Sequence, residues 1–144
     1  MHYRGEKEMK TTEELFNLLQ NLDIDEFKKE ESFQESNITD YLNALLKEKN
    51  IQPKDIIVKL NMESSYTYQI LKGRRKPTRF FLIRIALLCK LDIDATQRLL
   101  STGNRPILYP RKRFDAAILY GIQHNLDETE INELLLDIGE EALF

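Results

Sequence analysis

Residues 64–81, SSYTYQILKGRRKPTRFF, decide how the rest of the chain is interpreted. The segment begins with a short run rich in hydroxyl groups, which ends at Gly73, and a cluster of cations follows. Thr78 then follows Pro77 at the start of a strongly apolar run. Because glycine is the usual left-handed residue after a helix and threonine is a good helix cap, the segment predicts two helices joined by a basic loop.

The first of these helices, residues 64–72, has an apolar side and a polar side. At 100° per residue, four residues lie on the inner side, Tyr66, Thr67, Ile70 and Leu71, and four on the outer side, Ser65, Tyr68, Gln69 and Lys72. Ser64 lies at the edge of the outer side and could instead cap the helix. The outer side carries no carboxylate, although the chain has 24 acidic residues. Such a side suits DNA, because glutamine and serine bond base edges and lysine reaches a phosphate or a guanine.

The loop that follows is strongly basic. Four cations, Arg74, Arg75, Lys76 and Arg79, lie within six positions. Residues 40–113 hold 16 basic and 6 acidic residues, whereas residues 1–39 hold 5 basic and 10 acidic ones and residues 114–144 hold 8 acidic and no basic ones. This basic middle predicts an anion-binding surface, since each neutralised phosphate releases counterions and adds affinity. The alternative is that the acidic ends fold back and neutralise it.

The spacing of apolar residues predicts an all-α fold. Apolar residues recur at helical spacing along most of the chain, and alternating runs between hairpin turns are missing. The predicted organisation is an acidic N-terminal helical extension over residues 1–36, a central domain over 37–103 and a C-terminal helical pair over 104–144. The stripe of Ile131, Leu134, Leu135 and Ile138 predicts either a contribution to the core or a dimer seam.

Capping chemistry predicts where the helices begin and end. The predicted starts are Thr11 or Thr12, Asn37 or Thr39, Pro53 in a first turn, Thr78, Asp92 or Asp94, and Asp127. Glu14 is placed to complete a capping box from Thr11. The predicted stops are Asn50, Asn61, Gly73, Gly103 and Asn125.

Residues 40–100 resemble the helix-turn-helix domain of the Xre-type, phage-repressor-like family. The stretch 51–78, IQPKDIIVKLNMESSYTYQILKGRRKPT, is similar to the family pattern without a gap. That pattern is a second helix, a turn, a recognition helix ending in glycine, a basic residue, a proline and a capping serine or threonine. The stretch 85–100, IALLCKLDIDATQRLL, resembles the later helices of the family. The resemblance implies a five-helix core and a DNA-binding transcriptional regulator of a bacterium or phage.

Carried over by position, the resemblance implies contacts to DNA. Ser64, Ser65 and Gln69 would face the major groove, and residues 72–76 would meet the phosphate backbone. With the wheel and the charges, the candidate DNA-binding residues are Ser64, Ser65, Tyr68, Gln69, Lys72, Arg74, Arg75, Lys76 and Arg79. The partner is double-stranded DNA, and we expect a homodimer, because repressor-type domains pair half-sites.

Four positions depart from the family pattern. Pro53 replaces a glutamine that contacts phosphate, and the flanking Gln52 and Lys54 are candidates to take over that contact. Ile57 replaces a small alanine, Asn61 replaces the turn glycine, and Leu71 replaces a glutamate near the end of the recognition helix. The chain therefore resembles a divergent branch of the family.

The C-terminal residues 100–144 are similar to an extension found on small bacterial proteins of this type. Arg111, Lys112 and Arg113 lie where a helix begins, although the helix dipole favours negative charge there. These three cations are further candidates for phosphate contacts. The alternative is compensation within the chain by carboxylates such as Asp137, Glu140 and Glu141.

Enzyme and membrane signatures are missing from the sequence. There is no phosphate-cradling glycine loop, no HExxH and no metal-spaced set of cysteine and histidine, so no catalysis, cofactor or metal is predicted. Cys89 is the one cysteine and lies in an apolar run, which predicts a buried thiol in a reducing cytoplasm. No apolar run approaches the roughly 18 residues of a membrane span. The segment 1–10, MHYRGEKEMK, lacks the apolar core of a secretion signal.

Two functions compete at this point. The first is a cytoplasmic regulator that reads the major groove with residues 64–72. The second is a protein-interaction module on the same scaffold, without specific DNA reading. In it Tyr66, Tyr68, Leu143 and Phe144 contact a protein partner, and the basic loop meets an acidic patch on that partner. The acidic C-terminal helix is a further candidate surface for a protein partner.

Overall fold

The computed structural model describes residues 10–33 and 37–144, and within these ranges all regular secondary structure is helical. The prediction of an all-α fold is confirmed for this part of the chain. Residues 1–9 and 34–36, which belong to the predicted extension 1–36, lie outside the description. The nine α-helices of the described ranges are α1 (Thr12–Asn21), α2 (Ile24–Lys29), α3 (Ile38–Glu48), α4 (Pro53–Lys59), α5 (Ser64–Leu71), α6 (Arg79–Leu88), α7 (Ile93–Thr102), α8 (Arg113–Gln123) and α9 (Glu128–Asp137).

The chain divides into two units, Met1–Ser36 and Asn37–Phe144. In the second unit α8 and α9 pack on each other, α7 packs on α8, and α6 packs on α9. None of the helices among the described residues combines the length and apolarity needed to cross a bilayer.

The described part of the first unit consists of two short helices and a 3-10 turn at Glu31–Phe33. The predicted capping box opens α1: Thr11 Oγ1 accepts from the Glu14 N–H at 3.1 Å, and Glu14 Oε1 accepts from the Thr11 N–H at 3.0 Å. The Thr11 backbone N–H, and after it the Thr11 side chain, lower the pKa of the Glu14 carboxyl by hydrogen bonding to it. Asp23 caps α2 in the same way. Neither helix has a buried residue, so capping rather than packing defines these elements.

Four helices of the second unit, α3, α6, α7 and α9, begin at predicted caps. Asn37 Oδ1 accepts from the Thr39 N–H at 2.8 Å, Thr78 Oγ1 from the Phe81 N–H at 3.1 Å, Asp92 Oδ1 from the Ala95 N–H at 2.8 Å and Asp127 Oδ1 from the Glu130 N–H at 2.8 Å. Asn37 and Asp92 are therefore the caps where the sequence left two candidates. Helix α8 begins at Arg113, with Lys112 as its cap residue.

The helix stops also follow the sequence. Left-handed backbone occurs at Asn50, Asn61, Gly73 and Asn125, which are four of the predicted stops. Helix α7 ends at the fifth, Gly103, which is its C-cap at φ −82°, and the left-handed residue there is the following Asn104, at φ 55°. Gly103 has another role: a Cβ there would lie 2.6 Å from Leu82 Cδ1, so the glycine permits close packing of α7 on α6.

Helix α6 forms the centre of the core, as its apolar sequence predicts. Six consecutive residues, 81–86, are buried, and they include Arg84. Leu82, Ile83 and Ile85 are fully buried, and each such side chain contributes about 1.5–3 kcal/mol by leaving water. The fully buried side chains from the other helices include Leu42, Leu45, Ile56, Ile70, Leu99, Ile118, Ile131 and Leu135. Ile131 and Leu135 place the C-terminal stripe in the core of this unit.

A buried arginine joins α6 to the C-terminal segment. Arg84 is 8% exposed, and its guanidinium forms a 2.9 Å ion pair with Glu128 in the first turn of α9. Its Nη2 also donates to the carbonyl oxygen of Leu60, and its guanidinium lies 5.0 Å from the centre of the Phe144 ring. The arginine thus bridges the end of α4, the start of α9 and the last residue.

Candidate nucleic-acid interface

Helices α4 and α5 pack against each other and are joined by a turn of four residues, Leu60 to Glu63. Asn61 adopts φ 51° in this turn, and the Met62 N–H donates to the Ile57 carbonyl at 3.1 Å. Asparagine tolerates this left-handed conformation, which the family pattern assigns to glycine. The far end of α5 is held by Asn43 of α3, whose Nδ2 donates to the Leu71 carbonyl at 2.9 Å.

The two sides of α5 agree with the wheel. Thr67, Ile70 and Leu71 are buried, while Tyr66 is half-buried with its ring edge-on to Phe81 at 6.1 Å between centroids. On the opposite side Ser65, Tyr68 and Lys72 are exposed and Gln69 is partly exposed. Gln69 Nε2 lies 3.4 Å from Ser65 Oγ, so the two side chains form a pair on the outer surface.

The start of α5 differs from the sequence-based alternative for Ser64. Glu63, and not Ser64, is the cap, because its carboxylate oxygens accept from the Ser65 N–H at 3.1 Å and the Tyr66 N–H at 2.5 Å. Ser64 is the first helical residue and is exposed. Sequence reasoning missed Glu63, since glutamate is not among the preferred caps. The sequence does contain one signal. The first turn of α5 has no acidic residue, so Glu63 directly before it is the residue that supplies the negative charge favoured at a helix start.

Three cations of the basic loop, Arg74, Arg75 and Lys76, are exposed, as is Lys72 directly before it. Lys72 ends α5, Gly73 follows at φ 76°, and the backbone N–H groups of Arg74 and Arg75 donate to the Gln69 carbonyl at 2.9 and 3.2 Å. All four side chains, Lys72, Arg74, Arg75 and Lys76, are exposed. Within residues 37–144, none of them forms an ion pair with a carboxylate. The loop therefore presents four cations to solvent beside the outer side of α5.

Tyr66 supports one of these cations. The Arg75 guanidinium lies 5.2 Å from the centre of the Tyr66 ring, and the Tyr66 hydroxyl lies 3.5 Å from Thr78 Oγ1. A cation over an aromatic face gains about 0.5–1 kcal/mol at an exposed site, which restricts where the arginine extends.

Arg79 occupies a different environment from the other candidates. Its Nη1 and Nη2 pair with both oxygens of Asp115 at 3.0 and 2.9 Å, its Nε donates to the Pro106 carbonyl at 2.9 Å, and Nη2 also reaches the Ile107 carbonyl at 3.1 Å. Asp115 is 2% exposed and accepts a further hydrogen bond from the Tyr109 N–H. These bonds occupy every nitrogen of the guanidinium, so Arg79 fastens the loop before α8 to α6.

The additional phosphate candidates lie at two helix starts. Gln52 and Lys54 are exposed at the beginning of α4, where the Gln52 N–H donates to Asp55 at 2.8 Å. Arg111, Lys112 and Arg113 are exposed before and at the start of α8. Arg113 Nε lies 3.4 Å from the Ile138 carbonyl at the end of α9. Within residues 37–144 these three cations form no ion pair with Asp137, Glu140 or Glu141, and the buried Asp115 supplies the negative charge in the first turn of α8.

The described ranges contain no group of three or more His, Cys, Asp or Glu side chains able to hold a metal ion. Cys89 is buried, and its burial raises the pKa of the thiol to about 11. A thiol held in the protonated form is a poor nucleophile, so Cys89 is part of the core.

Comparisons with protein-family models, with curated proteins and with solved structures give no match to this chain.

Proposed function

We propose that this protein is a sequence-specific DNA-binding transcriptional regulator that inserts α5 into the major groove. The observation that carries the proposal is the outer side of α5, with its exposed Ser65, Tyr68 and partly exposed Gln69, next to four exposed cations of the loop. Base edges require hydrogen-bonding side chains and phosphates require accessible cations, and this surface offers both side by side. The resemblance to the Xre-type family points the same way, since it assigns the same two roles to this helix and loop.

The contacts divide into base-reading and backbone-binding sets. Ser64, Ser65, Tyr68 and Gln69 reach base edges, and Lys72, Arg74, Arg75 and Lys76 bind phosphates. Arg79 acts indirectly in this proposal, because Asp115 and two backbone carbonyls already occupy its guanidinium. If all four loop cations contact phosphate, they contribute about −3.6 to the slope of log affinity against log salt concentration, at roughly −0.9 per phosphate.

A homodimer on two half-sites is part of the proposal. One recognition helix and one basic loop form a small contact area, and pairing two of them on a palindromic site supplies the remaining affinity. Arg111, Lys112 and Arg113 are exposed and are available to extend the phosphate contacts of each subunit.

The protein-interaction alternative keeps a narrower surface than the sequence suggested. Leu143 is 4% exposed and its N–H donates to Asn132 Oδ1 at 2.6 Å, so it is not available to a partner. Phe144 is 58% exposed, Leu136 on the acidic α9 is 59% exposed and Tyr68 on α5 is 43% exposed, and these three remain. An adaptor function would therefore use α9 and Phe144, or Tyr68 on α5.

Fluorescence anisotropy of a labelled mixed-sequence duplex tests the proposal. We expect the affinity to fall steeply with salt, and Arg75→Ala to weaken all duplexes alike and reduce the salt slope by about 1. Gln69→Ala should instead change the ranking of different duplexes. Lys47→Ala, an exposed cation in the last turn of α3, is the matched control and should change neither. Absence of binding even at low salt would reject the proposal, and equal losses for the Gln69 and Arg75 variants would reject base reading by Gln69.

A further inference from the structure

The hairpin of α6 and α7 is repeated by the hairpin of α8 and α9 at a spacing of 35 residues. Helix α6 ends at Leu88 and α8 at Gln123, and α7 and α9 begin and end at the same spacing. The left-handed residues that follow these helices agree as well: Lys90 with Asn125, and Asn104 with Gly139. The two hairpins therefore share one backbone design.

Side-chain contacts at the end of each hairpin repeat too. The Gln97 side chain on α7 accepts from the Leu108 N–H at 2.7 Å and donates to the Leu108 carbonyl at 2.8 Å. Asn132 occupies the same position on α9, and its Oδ1 accepts from the Leu143 N–H at 2.6 Å. Both leucines are buried. A fixed period in backbone and in side-chain contacts marks two copies of one supersecondary unit.

The two hairpins pack on each other with the contacts of a two-fold pair. Helix α6 packs on α9, and α7 packs on α8. Arg79 pairs with Asp115, and the rings of Phe80 and Phe114 stack at 5.3 Å between centroids. Since Phe114 and Asp115 repeat positions 79 and 80, each hairpin presents the same two positions to the other, which is the pattern of a two-fold interface. This packing uses one side of each hairpin.

A further side of α6 is covered by α4 and α5. Arg84 donates to the Leu60 carbonyl at the end of α4, and the Phe81 ring meets Tyr66 of α5 edge-on at 6.1 Å between centroids. Ile85, one turn after Phe81, is 0% exposed. This side of α6 is therefore part of the core.

The corresponding side of α8 is open to solvent. Tyr120 takes the position of Ile85 and is 50% exposed, and its ring stacks on that of His124 at 4.1 Å between centroids. Ala116, one turn before Tyr120, is partly exposed, and Gln123 on the same side is exposed. We call Ala116, Tyr120, Gln123 and His124 the α8 outer face. Within residues 37–144, the second hairpin thus lacks a protein layer that the first hairpin has.

Charge favours a second copy of this chain as the missing layer. A two-fold axis places each residue near the same residue of the other copy, so a self-pairing surface must not repel itself. The α8 outer face contains no Lys, Arg, Asp or Glu, whereas the exposed side of α9 carries Glu130, Glu133 and Asp137. In an antiparallel pair, Arg113 at the start of α8 also lies near the carbonyl end of the other α8, where the helix dipole favours a cation.

Resting on the homodimer of the proposed function, we infer that two copies of this chain pair through their α8 outer faces, antiparallel about a two-fold axis near Tyr120. The interface uses the second hairpin, whereas α4 and α5 cover the first, so the proposed DNA contacts of α5 stay free. The two recognition helices are then related by the same axis, as the two half-sites of a palindrome require.

Sedimentation equilibrium of the full chain over the micromolar range tests this interface. We expect the wild type to be a dimer. Tyr120→Glu places two carboxylates near the axis and should raise the dimer dissociation constant by about 30-fold or more, as loss of a central aromatic residue commonly does. Leu136→Glu is the matched control, because Leu136 is an apolar side chain of similar exposure, 59%, but lies on α9. This variant should remain as dimeric as the wild type.

Disulfide cross-linking gives a second readout that adds no charge. The native Cys89 is buried, so Tyr120→Cys introduces the accessible thiol. Mild oxidation should link Tyr120→Cys chains into a covalent dimer, because residues beside a two-fold axis come within disulfide distance of each other. Leu136→Cys chains should stay unlinked. Thermal unfolding of each variant establishes that the fold is retained.

The outcomes separate this interface from the proposed function. Duplex binding by a monomeric wild type would overturn the inference and leave DNA binding standing, with the α8 outer face left to a different protein. Equal behaviour of the Tyr120 and Leu136 variants, in sedimentation or in cross-linking, would overturn it as well. A dimer that Tyr120→Glu dissociates but that binds no duplex would support the interface and reject the proposed function.

Discussion

The basic residues of this chain fall into two environments that lie next to each other in sequence. Lys72, Arg74, Arg75 and Lys76 are exposed and, within residues 37–144, have no carboxylate partner. Arg79 and Arg84, only a few positions further on, each hold a carboxylate from the C-terminal segment at 2.9 Å. The four exposed cations remain available to an external anion, whereas Arg79 and Arg84 form ion pairs within the fold.

This difference shows that charge along the chain and charge at the surface are separate quantities. The basic middle counts Arg79 and Arg84 among its cations, yet Asp115 and Glu128 neutralise them and both carboxylates come from the acidic C-terminal block. Part of the acidic block is therefore used to fasten α8 and α9 to α6. The alternative that the acidic ends neutralise the middle holds at these two arginines, while the loop cations keep their charge exposed.

Removing Arg84 should give the largest effect on stability. Arg84→Ala leaves the mostly buried Glu128 carboxylate and the Leu60 carbonyl without their donor, and breaking a buried ion pair in this way costs about 3–5 kcal/mol. Urea unfolding followed by circular dichroism measures the change. Arg74→Ala serves as the control from the exposed group and should change the unfolding free energy by less than about 0.5 kcal/mol. Similar values for the two variants would show that the environments do not differ energetically.

The Arg79–Asp115 pair should rank second. Asp115→Ala removes both oxygens that hold Arg79 and the acceptor of the Tyr109 N–H, which we expect to cost about 2–3 kcal/mol. A double-mutant cycle with Arg79→Ala should give a coupling of about 1–3 kcal/mol, because each single variant strands its partner. Additive losses in urea unfolding would mean that the two side chains do not stabilise each other.

How much of this could be predicted depends on how local the cause is. Thr78 and Asp127 were identified as caps, and Asp92 as one of two candidates, because a cap bonds an N–H two or three residues away. Gly73 and Asn125 were identified as stops for the same reason. The inner and outer sides of α5 also follow from its own period.

The partners of Arg79 and Arg84 could not be predicted, because they are 36 and 44 residues away in sequence. Nothing local to RFFLIRIALL distinguishes an arginine that binds phosphate from one that binds Asp115 or Glu128. Glu63 was missed for a different reason: glutamate is not among the residues that helices prefer as caps. The sequence thus predicted the part of the candidate site that depends on one helix and its loop. It did not predict that a tertiary contact with Asp115 would engage Arg79.

The left-handed backbone at Gly73, directly before the exposed Arg74 and Arg75, should rank third. Gly73→Ala places a Cβ at φ 76° and 3.1 Å from Thr39 Oγ1, so we expect a loss of about 1–2 kcal/mol in thermal unfolding. Gly139→Ala is the matched control, because Gly139 has φ 79° but nothing within 4 Å of the added atom. A loss at Gly73 no larger than at Gly139 would mean that the Thr39 contact does not matter.

The smallest effect, on duplex affinity, should come from Tyr66, whose ring lies under the exposed Arg75 guanidinium. Tyr66→Leu removes the ring under the guanidinium, and a cation–π contact of about 0.5–1 kcal/mol corresponds to a roughly 2- to 5-fold loss of duplex affinity. Tyr66→Phe keeps the ring and should bind as the wild type does. In an Arg75→Ala background, Tyr66→Leu should have no further effect on affinity, because the cation that the ring supports is already gone. A full additional loss in that background would show that Tyr66 contributes to binding by another route, and that the exposed cations, unlike Arg79 and Arg84, need no fixed geometry to act.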